Sequence, residues 1–300
     1  MVKNLLKKFN WKLLVKIVFT FLGVGWVLSK IDVNEVGRYL TDVPLALTIA
    51  CILIFNLSKF FCSIRLNKFF KKDGIFISEK ESLKLYYKGM FYNMMLPGGI
   101  GGDGYKGYYL HNTLHVPVKN LIRPILWDRI TGAVGIVILI FVLVNFQNFI
   151  PDHLAVKILL GCSPLLMYAA SMVASNIIVP SYRGVFHSTT ILSLLNQLSQ
   201  ALVVILLLYG LKIPVELFDE YLLVFFISSL ATILPITLGG VGIRELVFIK
   251  AAEISEIEQH TAVALTVLFL GITLVSALIG SIVKLDVQRP VESPNVRLGE

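Results

Sequence analysis

The chain has 300 residues, 56% of them hydrophobic and 15% charged, with a mean hydropathy of +0.79, which excludes an ordinary water-soluble domain. Its net charge of +8 is gathered beside apolar runs, which suits an anionic membrane surface and argues against nucleic acid as a partner. Cys51, Cys62 and Cys162 lie in or beside apolar stretches without pairing spacing, so neither a disulfide framework nor a Cys-based metal site follows.

Lys3, Lys7, Lys8 and Lys12 precede the apolar run 13–28. That order resembles a secretory signal, but Ser29-Lys30-Ile31-Asp32 offers no small-x-small cleavage site, and an uncleaved first span is expected. Further runs at 44–61, 130–146, 154–179, 189–209 and 262–283 are long enough, or nearly so, to cross about 30 Å of hydrocarbon. Between them lie two weaker apolar stretches, 83–110 and 221–252, each interrupted near its middle by Leu-Pro and Gly-Gly. Pro and Gly break helices, so each stretch predicts two half-helices that meet at mid-membrane as a re-entrant hairpin.

The two interruptions are copies of one another. Leu96-Pro97-Gly98-Gly99-Ile100-Gly101-Gly102-Asp103-Gly104-Tyr105-Lys106 recurs 138 positions later as Leu234-Pro235-Ile236-Thr237-Leu238-Gly239-Gly240-Val241-Gly242-Ile243-Arg244. The same offset carries the first three spans onto the last three. Residues 62–129 hold eleven Lys and Arg, residues 147–153 hold none, and residues 210–220 hold one Lys against three carboxylates. The Lys/Arg bias therefore predicts cytoplasmic N- and C-termini, with the first hairpin entering from the cytoplasm and the second from outside. The expected fold is an all-α polytopic membrane protein of two inverted repeats, residues 1–147 and 148–290, each with three transmembrane helices and one re-entrant hairpin. Residues 291–300 form a cytoplasmic tail. Paired helix breaks in corresponding halves point to a transport site.

A half-helix starting at mid-membrane presents unpaired N–H groups and the positive end of its dipole to a phosphate or carboxylate. The tips, with Pro97, Gly101, Gly102 and Gly104 in one copy and Pro235, Gly239, Gly240 and Gly242 in the other, would then form one anion site. Lys106 and Arg244 supply its fixed charges, and Asp103 or Glu245 gates it. Plainer roles exist for each: close helix packing for the glycines, snorkelling for Lys106, an N-cap for Asp103 and a counter-ion of Arg244 for Glu245. Asp128 and Arg129 read either as an interfacial ion pair or as residues at the cavity mouth. Lys16, Lys59 and Lys157 sit near span ends and read as snorkelling. The Gly99–Gly104 match to a dinucleotide fingerprint follows no strand, and His111 with His115 lacks the Glu of a zinc helix. No Walker motif or Ser/His/Asp arrangement stands out, so no cofactor, metal or catalytic residue is expected.

Three ordered motifs resemble the lysylphosphatidylglycerol synthase transmembrane family: Leu96-Pro97-Gly98-Gly99-Ile100-Gly101-Gly102-Asp103 with a cation three residues on, Asp128-Arg129-Ile130-Thr131-Gly132, and Gly240-Val241-Gly242-Ile243-Arg244-Glu245. The resemblance implies a flippase-like transporter or binder of an anionic phospholipid or polyprenyl-phosphate-linked lipid in the bacterial or archaeal inner membrane. Lys106 stands where this family more often has Arg, and the aminoacyl-transferase domain of some members is not within these residues, so lysyl-lipid synthesis is not expected of them. Two other functions fit the composition. A membrane-embedded lipid-linked glycosyltransferase would need an acidic catalytic pair, which the 253–258 stretch does not offer. A non-transporting partner would dock a separate lipid-modifying synthase through the basic 62–88 segment.

Orientation is testable directly. In a Cys-free variant, single cysteines at Asn148 and Glu216 should react with an impermeant maleimide added outside the cell, and one at Gly184 should not. External labelling at Gly184 would overturn the inverted arrangement.

Overall fold

The computed structural model describes residues 38–39, 42–95, 101–147, 153–233 and 242–287. The expected first span at 13–28, the hairpin residues Pro97, Pro235, Gly239 and Gly240, position 148 and the tail lie outside them. Nine α-helices occur among the described residues, and no strand does. They are α1 (Leu45–Lys72), α2 (Glu79–Met95), α3 (Gly101–Leu114), α4 (Val118–Val144), α5 (Leu154–Ile178), α6 (Phe186–Gly210), α7 (Phe218–Ala231), α8 (Ile243–Ala252) and α9 (Gln259–Ile282). Short 3-10 turns, Pro180–Val185 and Val215–Leu217, lead into α6 and α7.

Five stretches are long and apolar enough to cross a membrane: α1, α4, α5, α6 with its leading turn, and α9. Two of them exceed the hydropathy runs. Helix α1 continues past position 61 through Arg65, Lys68, Lys71 and Lys72, and α4 begins at Val118 rather than at 130. Charge ends a hydropathy run without ending a helix, because Lys and Arg are good helix formers. Lys71 and Lys72 complement the dipole at the end of α1, and Gly74, at φ +75°, turns the chain where a side chain would be strained. Helices α2, α3, α7 and α8, at 17, 14, 14 and 10 residues, reach only about 15–25 Å, less than the hydrocarbon thickness.

The helix boundaries recur with the 138-residue offset. Shifted by it, α1 becomes 183–210 against the observed Phe186–Gly210, α2 becomes 217–233 against Phe218–Ala231, α3 becomes 239–252 against Ile243–Ala252, and α4 becomes 256–282 against Gln259–Ile282. Packing is reciprocal as well. Helices α1 and α6 pair with each other; α2 packs on α3 and α9, while α7 packs on α8 and α4.

Contacts fix which ends lie together. Lys71 at the end of α1 pairs with Glu79 at the start of α2 at 2.6 Å. Leu110 near the end of α3 shares a buried cluster with Ile75, Leu121 and Val287. The start of α2, the end of α3, the start of α4 and the chain after α9 thus meet at one, basic end. At the other, Gln147 donates to Asp219 at 3.1 Å, Tyr221 bonds Thr261 at 3.0 Å, and Glu258 caps α9 through the Thr261 N–H. The main core, around Phe55, Tyr221, Phe225, Phe226, Phe248 and Phe269, joins helices of both halves.

Two glycines set the closest helix approaches. A Cβ on Gly102 would stand 2.0 Å from the Gly89 carbonyl oxygen, and one on Gly280 would stand 2.1 Å from that of Tyr87. Backbone cannot yield as a flexible side chain does, so Gly280→Ala should cost roughly 1–3 kcal/mol through forced separation of α2 and α9. Gly161→Ala, with nothing within 4 Å of its Cβ, should be neutral or slightly stabilising. Thermal unfolding of both variants in detergent measures the contrast.

Candidate functional site

An arginine in an apolar span needs a partner, because an isolated buried charge is prohibitively costly. Arg65, 4% exposed on α1, donates through Nε to Asp128 Oδ1 of α4 at 2.7 Å and through Nη1 to Ser193 Oγ of α6 at 2.6 Å. The Ser193 hydroxyl in turn donates to the Thr131 carbonyl at 2.9 Å. Gly132 leaves room for the guanidinium, since its Cβ would lie 3.4 Å from Arg65 Nη1.

Asp103, in the first turn of α3, is shared by two cations. Its Oδ1 accepts from Lys106 Nζ at 3.0 Å, and its Oδ2 accepts from Arg129 Nε. Lys106 is buried, with its ammonium 4.6 Å from the centroid of the Tyr86 ring. Asn93 Oδ1 accepts the Gly102 N–H at 2.7 Å, so α2 satisfies one open donor at the start of α3.

A third group surrounds a cavity of about 200 Å³ whose lining includes Lys59, Arg244, Glu245, Gln200 and three threonines, Thr232, Thr266 and Thr273. Gly242, at φ +87°, opens α8 and places Arg244 in its first turn. The Arg244 guanidinium lies 4.6 Å and 4.9 Å from the Phe225 and Phe269 ring centroids. It also donates to the Ser228 and Ser229 hydroxyls at 3.2 Å each, and those hydroxyls donate to the Phe225 carbonyl. Lys59 Nζ stands 4.0 Å above the Phe55 ring. Among the described residues no carboxylate comes within ion-pair distance of Lys59 or Arg244. Rings and hydroxyls stabilise these cations without neutralising them. Glu245 makes no contact ion pair with Arg244, although it lines the same cavity and acts on Arg244 as an opposite charge; its Oε2 accepts the Gly242 N–H at 2.8 Å and so caps α8.

The sequence-derived residues therefore fall into three sets. Asp103, Lys106 and Arg129 come together, Asp128 joins Arg65 instead of its neighbour Arg129, and Arg244 with Glu245 lines the cavity beside Lys59. Of the glycines, Gly102 serves helix packing, Gly104 faces open space, Gly242 starts α8, and Gly101 begins α3. Sequence reasoning overlooked Arg65 and set Lys59 aside as snorkelling. The signal available for both was a cation well inside a continuous helical pattern, which is a functional pointer by default. No group of three His, Cys, Asp or Glu able to hold a metal occurs among the described residues.

The chain matches the family described as the lysylphosphatidylglycerol synthase TM region over residues 13–186 and 181–280. It belongs to that family. Comparison with curated proteins gives no match. The two stretches matching the lysylphosphatidylglycerol synthase TM region meet at 181–186, within the turn from α5 to α6, and together they take in all three sets of charges.

Removing one partner of a buried ion pair leaves the other unpaired, at a cost of roughly 3–5 kcal/mol. Arg65→Gln or Asp128→Asn should therefore lower the melting temperature sharply, and the double change Arg65→Met with Asp128→Leu should recover much of it. Melting curves of the three variants check this.

Proposed function

We propose that the protein is a flippase-like transporter of an anionic lipid, a phospholipid or a polyprenyl phosphate, in the cytoplasmic membrane. The observation that carries this reading is the Lys59–Arg244 cavity: two cations, polar threonines and a glutamine against one carboxylate, Glu245, which is engaged in capping α8 and makes no contact ion pair with either cation. A phosphate suits it, because a guanidinium gives paired, charge-assisted hydrogen bonds while threonine hydroxyls fill the remaining acceptor sites. Transporters take anions at helix starts in this manner, and Arg244 stands in the first turn of α8.

The two halves act as inverted repeats with α2–α3 and α7–α8 as re-entrant hairpins. Supporting this are the shared 138-residue spacing, the four short helices, and the opposite ends at which the two hairpins start and finish. The basic end, with Lys71, Lys72, Lys84, Lys119 and Arg123, faces the cytoplasm by the Lys/Arg rule. One half rocks against the other, with the head group held in the cavity between α1, α6, α8 and α9 and its hydrocarbon in the surrounding lipid. Glu245 holds the start of α8 in shape while Arg244 meets the ligand.

Native mass spectrometry and a vesicle-based lipid translocation assay test the assignment. Arg244→Gln and Lys59→Gln should each lose anionic lipid retention and transport, by tenfold or more for the guanidinium, with little change in melting temperature. Arg244→Lys should keep part of the activity, having charge without the planar fork. Adding Glu245→Gln to Arg244→Gln should restore nothing and should lower stability, because the cap on α8 weakens. Recovery of transport in that double variant would overturn the anion-site assignment and make Arg244 and Glu245 a structural pair.

A further inference from the structure

Asp103 bridges Lys106 and Arg129 in direct ion pairs, a position that no carboxylate takes between Lys59 and Arg244. Its counterpart at the 138-residue offset is Val241, whereas that of Lys106 is Arg244, so the first hairpin holds its cation in a direct ion pair and the second, whose Glu245 caps α8, does not. Beside the Asp103–Arg129 pair lies a cleft of about 330 Å³ between α3 and α4. Its α3 wall, between Asp103 and Tyr108, is bare backbone at Gly104 and Gly107. Gly104 and Gly107 share one helix face, and a Cβ on either would meet nothing within 4 Å, in contrast to the tightly packed Gly102. Each glycine costs a helix about 1 kcal/mol relative to alanine, and no neighbouring helix explains these two. Its α4 wall is a stripe of Ile122, Leu126 and Arg129, the two apolar members 57% and 52% exposed. The cleft thus has a charged inner end and an apolar side open to the surroundings of the bundle.

We infer that Lys106 and Arg129 form a second, gated site for the same class of anionic lipid. Its phosphate displaces the Asp103 carboxylate, and its hydrocarbon leaves through the α3–α4 cleft. This rests on the lipid-handling reading above, but on residues separate from the Lys59–Arg244 cavity. Exchanging a carboxylate for a phosphate keeps both cations paired, and the released Asp103 carboxylate is neutralised by taking up a proton from water. The cleft walls give the ligand a second requirement, an alkyl or prenyl chain attached to the phosphate.

The test uses the full chain in phosphatidylcholine nanodiscs containing a small fraction of phosphatidylglycerol with a photoreactive acyl chain, and a parallel set in which the photoreactive lipid is phosphatidylcholine. Adducts are mapped by peptide mass spectrometry on α4 around Ile122 and Leu126, with the exposed Leu165 and Leu166 of α5 as background. Phosphatidylglycerol should label the cleft severalfold above background and phosphatidylcholine should not. Asp103→Asn should raise the phosphatidylglycerol labelling further, and Gly107→Leu, which fills open space without a clash, should bring it to background. Arg244→Gln should leave it unchanged, so the transport assignment and this one fail separately. Equal labelling by the two lipids, or labelling indifferent to Gly107→Leu, would overturn the second site whether or not Asp103→Asn folds.

Discussion

A guanidinium inside an apolar helix must be paired, and the Arg65–Asp128 pair is the constraint around which the described bundle is arranged. It draws α1 against α4, and its second arm, through Ser193, draws both against α6. Hydrophobic burial does not choose among helix partners when the surroundings are themselves apolar; packing and specific polar contacts do. One buried pair with a serine fixes register where three spans meet, two from the first half and one from the second. Gly132 and Ser193 follow from the same demand, since larger or apolar residues there would crowd the guanidinium or leave it short of an acceptor.

The halves share an architecture and differ in charge. The offset that carries Lys106 onto Arg244 carries Asp103 onto Val241, Arg65 onto Val203, Asp128 onto Thr266 and Arg129 onto Val267. The first half holds three cations and two carboxylates in close contact. The second has lost its equivalents of all but one cation, and Thr266 lines the cavity where Asp128 stands in the first half. At matching offsets, one helix pair thus holds its cation in direct ion pairs, and the other holds its cation with hydroxyls and rings. Function is read from that asymmetry; the shared fold supplies the scaffold.

Much of this was legible in the sequence, for physical reasons. Spans announce themselves through hydropathy, because lipid demands continuous apolar helices. Each run from 44–61 onward lies within or largely overlaps a long helix, although α1 and α4 extend well beyond theirs. The family was legible from three short motifs. What stayed hidden were pairings across helices. Asp128 and Arg129 are adjacent in sequence, yet neighbouring helix positions point about 100° apart, and each found its partner on another helix. Glu245, readable as a counter-ion of Arg244, also reaches back to Gly242 and satisfies an open N–H that no hydropathy scan counts. Lys59, near the end of its apolar run, reads as snorkelling and Arg65, just beyond the run, draws no notice, whereas the helix continues through both.

The tie between Asp73 and Tyr182 has a mechanical side. Tyr182, fully buried in the turn joining α5 to α6, donates to Asp73 at 2.6 Å, and Arg123 of α4 binds the same carboxylate. Together with Arg65 and Ser193, this bolts α1 to α6 toward the basic end through shielded contacts. Toward the other end the polar links between these two segments, among the described residues, are a thiol contact from Cys51 to the Val203 carbonyl at 3.8 Å and an exposed Lys212–Asp42 pair at 3.6 Å. Exposed pairs of that kind hold with well under the strength of buried ones. The central pair is therefore held by directional polar contacts at one end and by close apolar packing, with Cys51, Val203, Val204 and Leu207 fully buried, at the other.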